Sequence, residues 1–271
     1  MGKTLFGLFI FFFGYLHAKA ACQLANRLYI GTDLYYRKIT QMYIDKSTSS
    51  LDGIFKGIWA GYDFISPNSI YWGGEIYKNW DKALEKSSYF QTDIKNDISN
   101  YELRGGLTLM PARNCLLSLF VVGGYHYMNR IADDNPSITY SEVKYNWNYL
   151  GGGAYITVLL TYFWKISIQG KMMQMMDGRA KIFPKDSNVY SVEIVTDKGS
   201  IGKKWQYSIE LPNYFYFPKF YPFDIAIVPY INDINMKAGQ WMALLNNQEK
   251  VYTPSAKQFD YGVKFEIGLN F

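Results

Sequence analysis

Two histidines, His17 and His126, and two cysteines, Cys22 and Cys115, are all the imidazole and thiol this 271-residue chain holds. A nucleophile needs its base within hydrogen-bond reach. If His126 sits on a strand, the next residue on its face is Met128, so no serine follows it there. Cross-strand partners such as Ser118 or Glu102 stay open. A histidine this isolated reads first as a hydrogen-bonded member of a polar interior. The same scarcity argues against a metal site, which takes three or four His, Cys or carboxylate ligands, and no cofactor is expected.

The remaining chemistry is charge. Asp33, Glu75, Glu102, Glu210, Asp224 and Glu266 alternate with apolar residues, and so do Arg37, Arg104, Lys144, Lys165, Lys171 and Lys264. Near-equal numbers of opposite sign on the inner faces of a narrow tube pair into a lattice, which offsets their desolvation. A selective pore would more naturally line itself with one sign.

The element that positions such residues is clearest at the end of the chain. Tyr261, Val263, Phe265, Ile267, Leu269 and Phe271 alternate with Gly262, Lys264, Glu266, Gly268 and Asn270. Side chains change face at each strand residue, so one face is wholly apolar and the other polar or tiny. About 9–11 tilted strand residues cross a bilayer core. At the other end, Met1-Gly2-Lys3, the apolar run Thr4–Leu16 and Ala18-Lys19-Ala20 form an export signal, with cleavage expected before Ala21. The run is too short for a helical span. A lipoprotein reading through Cys22 is weaker, because Lys19 stands where an aliphatic residue belongs. Two domains are therefore expected: a cleavable leader, 1–20, and a barrel, 21–271.

Aromatic residues make up 18% of the chain, 25 of them Tyr, which fits two interfacial girdles better than a soluble sandwich. Net charge is +5, falling to +3 once the leader's Lys3 and Lys19 are removed, too mild and too scattered for nucleic acid. Cys22 and Cys115 could pair or stay as two thiols in an oxidising compartment.

Period-two segments predict ten strands: 28–44, 54–65, 70–79, 97–110, 115–128, 143–158, 163–174, 203–211, 221–234 and the terminal one, with eight or twelve as alternatives. Connectors after the second, fourth and sixth are short. Those after the third (Trp80–Asn96), fifth, seventh and ninth are longer and polar. Pro212–Phe220 breaks the rule, being long and aromatic, and reads as an interfacial collar. Gly151-Gly152-Gly153 precedes no helix, so it reads as room for a bulky neighbour or a bend rather than a phosphate loop. With no helical span, only a closed barrel satisfies every backbone group in lipid. The fold class is a single antiparallel transmembrane β-barrel.

The leader, the Leu28–Arg37 opening strand, the run Gly123–Tyr127 and the terminal Tyr261–Phe271 segment resemble the small outer-membrane β-barrel proteins of Gram-negative bacteria, the OmpA-like class in its broad sense. That resemblance implies a bacterial outer-membrane location, with the lipid bilayer and the barrel-assembly machinery as partners. It makes Tyr261, Phe265, Ile267, Leu269 and Phe271 the assembly signal. Barrel proteases in this class use an Asp–His pair with further acids, and barrel lipases use Ser with His; the lone His126 argues against both. The expected role is structural or surface-interacting through long outer loops that meet an unidentified ligand or surface, with the lumen plugged by paired charge. A small channel or uptake protein is the alternative, and a hydrolase a lesser one.

Overall fold

A computed structural model describes residues 26–42, 46–87, 91–133, 140–185, 192–195, 205–236, 242–243, 250–251 and 255–271. The leader, Cys22 and parts of the outer loops lie outside them. The main strands are β1 (Asn26–Met42), β2 (Thr48–Ile65), β3 (Ile70–Ser87), β4 (Gln91–Ala112), β5 (Cys115–Ala132), β6 (Tyr140–Thr161), β7 (Trp164–Pro184), β8 (Trp205–Glu210), β9 (Phe223–Met236) and β10 (Ser255–Asn270). Each pairs antiparallel with its chain neighbour, and β1 pairs with β10 from Arg27↔Asn270 to Met42↔Ser255. The sheet is therefore a closed ten-stranded barrel.

Alternation decides what fills it. On β1 the odd residues Arg27, Tyr29, Asp33, Tyr35 and Arg37 are buried, while Leu28, Ile30 and Leu34 are exposed. Exposed apolar side chains recur at one height on the other strands: Leu103, Leu107 and Leu109 on β4, Leu119 and Val121 on β5, Ile225 and Ile227 on β9, Phe265 and Ile267 on β10. Phe271 is 60% exposed and donates its backbone N–H to Asn26, so the terminal residue stays on the outer wall.

The strands are much longer than this belt. At roughly 3.3 Å per residue and a tilt near 40°, a strand of β4's length rises about 55 Å, about twice the ~25 Å apolar band of such barrels. Above the belt the outward row turns polar and the inward row mixes apolar with polar residues. On β4 the outward residues become Gln91, Asp93, Lys95 and Asp97, and the inward ones include Ile94 and Ile98, both almost fully buried. Ile39, Leu51, Phe55, Ala83 and Ile94 pack against Tyr35 and Tyr230 along the β1–β4 side of the outer half, beside buried polar residues such as Thr92, Asn96 and the Arg130–Glu85 pair. This corrects the expectation of a loop over Trp80–Asn96: its described residues, 80–87 and 91–96, are strand, paired from Trp80↔Asp97 to Lys86↔Gln91. The second strand likewise begins at Thr48 rather than Ile54.

The aromatic connector after β8 is also strand. Asn213–Tyr216 continues β8 in the same register, pairing with Ile166–Trp164 of β7 and with Ile227–Asp224 of β9. Proline interrupts the ladder without ending it. Ser167 N–H donates to Pro212 O at 2.8 Å and Leu211 N–H to Pro229 O at 2.9 Å. Neither proline has an N–H to complete its pair, and the Asn213 side chain supplies a donor to Leu211 O at 2.9 Å. The turn into β9 takes six residues, 217–222, with a 3-10 turn at Pro218–Phe220, against four or two at Ser66–Ser69, Arg113-Asn114 and Tyr162-Phe163 at the same end.

Candidate functional site

Strand alternation turns the acids and bases into the lumen, where they form connected groups at two depths. Near the end that carries the chain terminus, Arg27 grips Asp224 through Nε (3.0 Å) and Nη2 (2.8 Å) and Glu266 through Nη1 (2.5 Å). Asn270 adds a bond to Asp224 at 2.7 Å. Arg27 and Lys165 both lie against the Tyr214 ring, whose hydroxyl is 2.6 Å from that of Tyr155.

Higher up, Arg104 reaches Asp63 (3.4 Å), Glu102 (3.6 Å) and Glu75 (3.9 Å) and donates to the Tyr29 hydroxyl (3.1 Å). Lys171 binds Glu102 at 3.0 Å and Glu210 at 3.7 Å, and Lys264 binds Glu210 at 3.3 Å and Glu75 at 3.8 Å. These seven charged groups span β2, β3, β4, β7, β8 and β10, tying opposite walls together across the tube. The geometry depends on local sequence. Gly124 opposes Glu102 across the β4–β5 ladder, and a Cβ there would overlap the Tyr149 hydroxyl that lies 3.3 Å from Glu102. Gly153 makes the same kind of room for the Phe120 ring, and a Cβ at Gly151 would strike the backbone of Met172.

On this floor rests a polar chamber of about 90 Å³. A water needs roughly 10–15 Å³ by such a measure, so the chamber has room for several small molecules. Its walls carry the Arg37–Asp260 pair, bidentate at 2.8 Å through Nε and Nη2, and Asp33, which accepts from the Tyr230 hydroxyl at 2.9 Å. His126 is also there. Its ring stacks on Trp147 with centroids 4.1 Å apart, and Nδ1 is 3.3 Å from Asn100 Oδ1. Asn100 Nδ2 in turn donates to Tyr149 at 3.0 Å, which fixes Oδ1 as the acceptor and puts the imidazole proton on Nδ1. Of the two cross-strand candidates, Ser118 lies 2.8 Å from the Thr108 hydroxyl and Glu102 is held by Lys171. Neither is bonded to His126.

The structure brings Asp33, Arg37, Glu75, Glu102, Arg104, Lys165, Glu210, Asp224, Lys264 and Glu266 into the lumen. Lys144 is different. It points outward above the belt, 3.2 Å from Glu142 and over the Phe183 ring, because the inward set on β6 runs through Val143, Trp147 and Tyr149. Sequence reasoning missed Arg27, Asp63, Asp260 and the Arg130–Glu85 pair (2.7 Å) as lattice members. Arg27 fell one residue before the expected start of β1, while Glu85 and Arg130 lie in the outer extensions read as connectors. Asp63 and Asp260 show a usable signal, period-two continuation from Gly61 and from Lys264. Among the assembly-signal residues, Tyr261, Phe265, Ile267 and Phe271 are exposed on the outer wall and Leu269 is half-buried.

No protein-family model matches the chain, and no curated protein resembles it in sequence. Solved structures do. The outer membrane protease OmpT from Escherichia coli superposes with a TM-score of 0.60 at 10% identity, over 90% of this chain and 97% of that one. The fold is that of an outer-membrane β-barrel. The translocator domain of the autotransporter NalP from Neisseria meningitidis (TM-score 0.43, 9% identity, 92% and 89% covered) and the Pseudomonas putida toluene transporter TodX (0.36, 7%, 91% and 90%) overlap too loosely to add to this. At these identities the likeness extends to architecture and to nothing finer.

Proposed function

We propose that the protein is a bacterial outer-membrane barrel with a structural or surface-interacting role, its lumen closed to solute. Its outer half and loops meet the environment, and Tyr261, Phe265, Ile267, Leu269 and Phe271 serve as the segment read by the assembly machinery. The observation that carries this reading is paired charge that crosses the tube around Arg104 and Arg27. A conducting path would have to break that pairing, and removing one partner of a buried pair costs about 3–5 kcal/mol. Planar-bilayer recording of the purified barrel tests it. No stepwise current is expected; stable, solute-selective currents would replace this reading with that of a channel.

We also read the protein as a non-enzyme, because His126 is bonded to an amide and stacked on an indole rather than set against a nucleophile. Wild type and His126→Ala are expected to leave peptide and lipid substrates equally untouched. Hydrolysis by the wild type that vanishes in the variant would make it a hydrolase.

A further inference from the structure

The chamber contains a carboxylate that stands outside the contact ion pairs of the lattice. Asp33 is 4% exposed and receives a hydrogen bond from Tyr230, yet no lysine or arginine among the described residues lies within ion-pair distance of it. The base directly opposite on the ladder, Lys264, is drawn away to Glu210 at 3.3 Å and Glu75 at 3.8 Å. Arg37, also on the chamber wall, is held by Asp260. Asp33 thus stands outside the contact ion pairs, and the mid-height group beside it already holds four carboxylates (Asp63, Glu75, Glu102, Glu210) against three bases (Arg104, Lys171, Lys264).

A second observation lies on the adjoining wall. Ser208 is 4% exposed, lines the chamber, and its hydroxyl makes no hydrogen bond within the described residues. Asn232 stands directly across the β8–β9 ladder from it, and Gln206 is the next inward residue on β8; neither side-chain amide is hydrogen-bonded among the described residues. Asn232 follows Tyr230 on the inner face of β9, and Tyr230 holds Asp33, so that carboxylate and the unused neutral groups share one continuous surface. A hydroxyl and two amides both donate and accept. They suit a hydroxyl or amide on the ligand and do not call for a second charge.

We infer that the chamber is a binding site for a small primary ammonium ion bearing a neutral hydrogen-bonding group, of which ethanolamine is the simplest example. The ammonium pairs with Asp33, which the Tyr230 hydroxyl holds in place. The ligand's hydroxyl meets Ser208, Asn232 or Gln206. Binding of this ion is compatible with a lumen that does not conduct, since the charged floor stays intact beneath it.

Calorimetric titration of the full barrel in phosphatidylcholine micelles tests the inference, with ethanolamine as the probe and ethylene glycol as its uncharged counterpart. Saturable binding of ethanolamine and none of ethylene glycol is expected. Asp33→Asn, which keeps an acceptor for Tyr230, should weaken binding by about thirtyfold or more. Ser208→Ala should weaken it by about three- to tenfold. Equal binding of the two probes, no saturable heat from ethanolamine, or unchanged affinity in Asp33→Asn would overturn it. Should Asp33→Asn fail to fold, the wild-type preference and Ser208→Ala still decide. Micelles doped with phosphatidylethanolamine should leave the affinity for free ethanolamine unchanged; competition would mean that a lipid headgroup, not the free ion, is what binds.

Discussion

Arg104 concentrates the energetics of the lumen at a single side chain. It reaches three buried or half-buried carboxylates and a tyrosine hydroxyl. Arg104→Ala would leave Asp63, Glu75 and Glu102 short of a counter-ion, and denaturant unfolding in lipid should report a loss of about 3–5 kcal/mol. Lys144→Ala is the contrasting case. Its pair with Glu142 is partly exposed, so a change within about 0.5 kcal/mol is expected. Equal effects of the two substitutions would deny the distinction between lattice and rim. Most of this lattice was legible in the sequence, because an acid or base in an otherwise apolar alternation has nowhere to go but the lumen. The partners were not legible. Pairing across the tube, such as Lys171 with Glu102, depends on barrel size and stagger, which no single strand records.

At the scale of elements, legibility followed the solvent. Where lipid bathes the outer wall, the pattern is greasy outside and polar inside, and strands such as β10 announce themselves. Above the belt water bathes the wall, so Asp93, Lys95 and Asp97 face out while Ile94 and Ile98 face in. Charge on the outward row, with Thr92 and Asn96 among the inward isoleucines, looks like a charged loop to anyone searching for lipid-facing rows. Phe55, fully buried in that outer core, tests its reality: Phe55→Ala should cost about 3–5 kcal/mol, measured by the same unfolding titration. A cost near zero would mean the outer half is not a packed core. β8 misled for another reason. Pro212 usually argues against a central strand, and here the ladder runs past it at the loss of donors from Pro212 and Pro229. Amide exchange should therefore be faster at Glu210, Leu211 and Asn213 than at the unbroken centre of β10. Matching protection would remove the idea of a weakened seam.

The described strands form a tube about twice as tall as the apolar belt, crossed by paired charge at mid-height and with apolar side chains packed in its outer half. An even number of strands puts Asn26 and Phe271, the first and last described residues, at the same end of the barrel. Strand number was readable because a closed antiparallel sheet constrains it; height was not, because it rests on the outer segments. The central claim is that lipid covers only the belt, and spin labels placed one at a time on the outward residues of β4 measure it directly in reconstituted vesicles. Labels at Tyr101, Leu103, Leu107 and Leu109 should be reached by oxygen and shielded from a water-soluble nickel chelate, and labels at Asp93, Lys95 and Asp97 the reverse. Uniform access to the chelate along the strand would contradict the account.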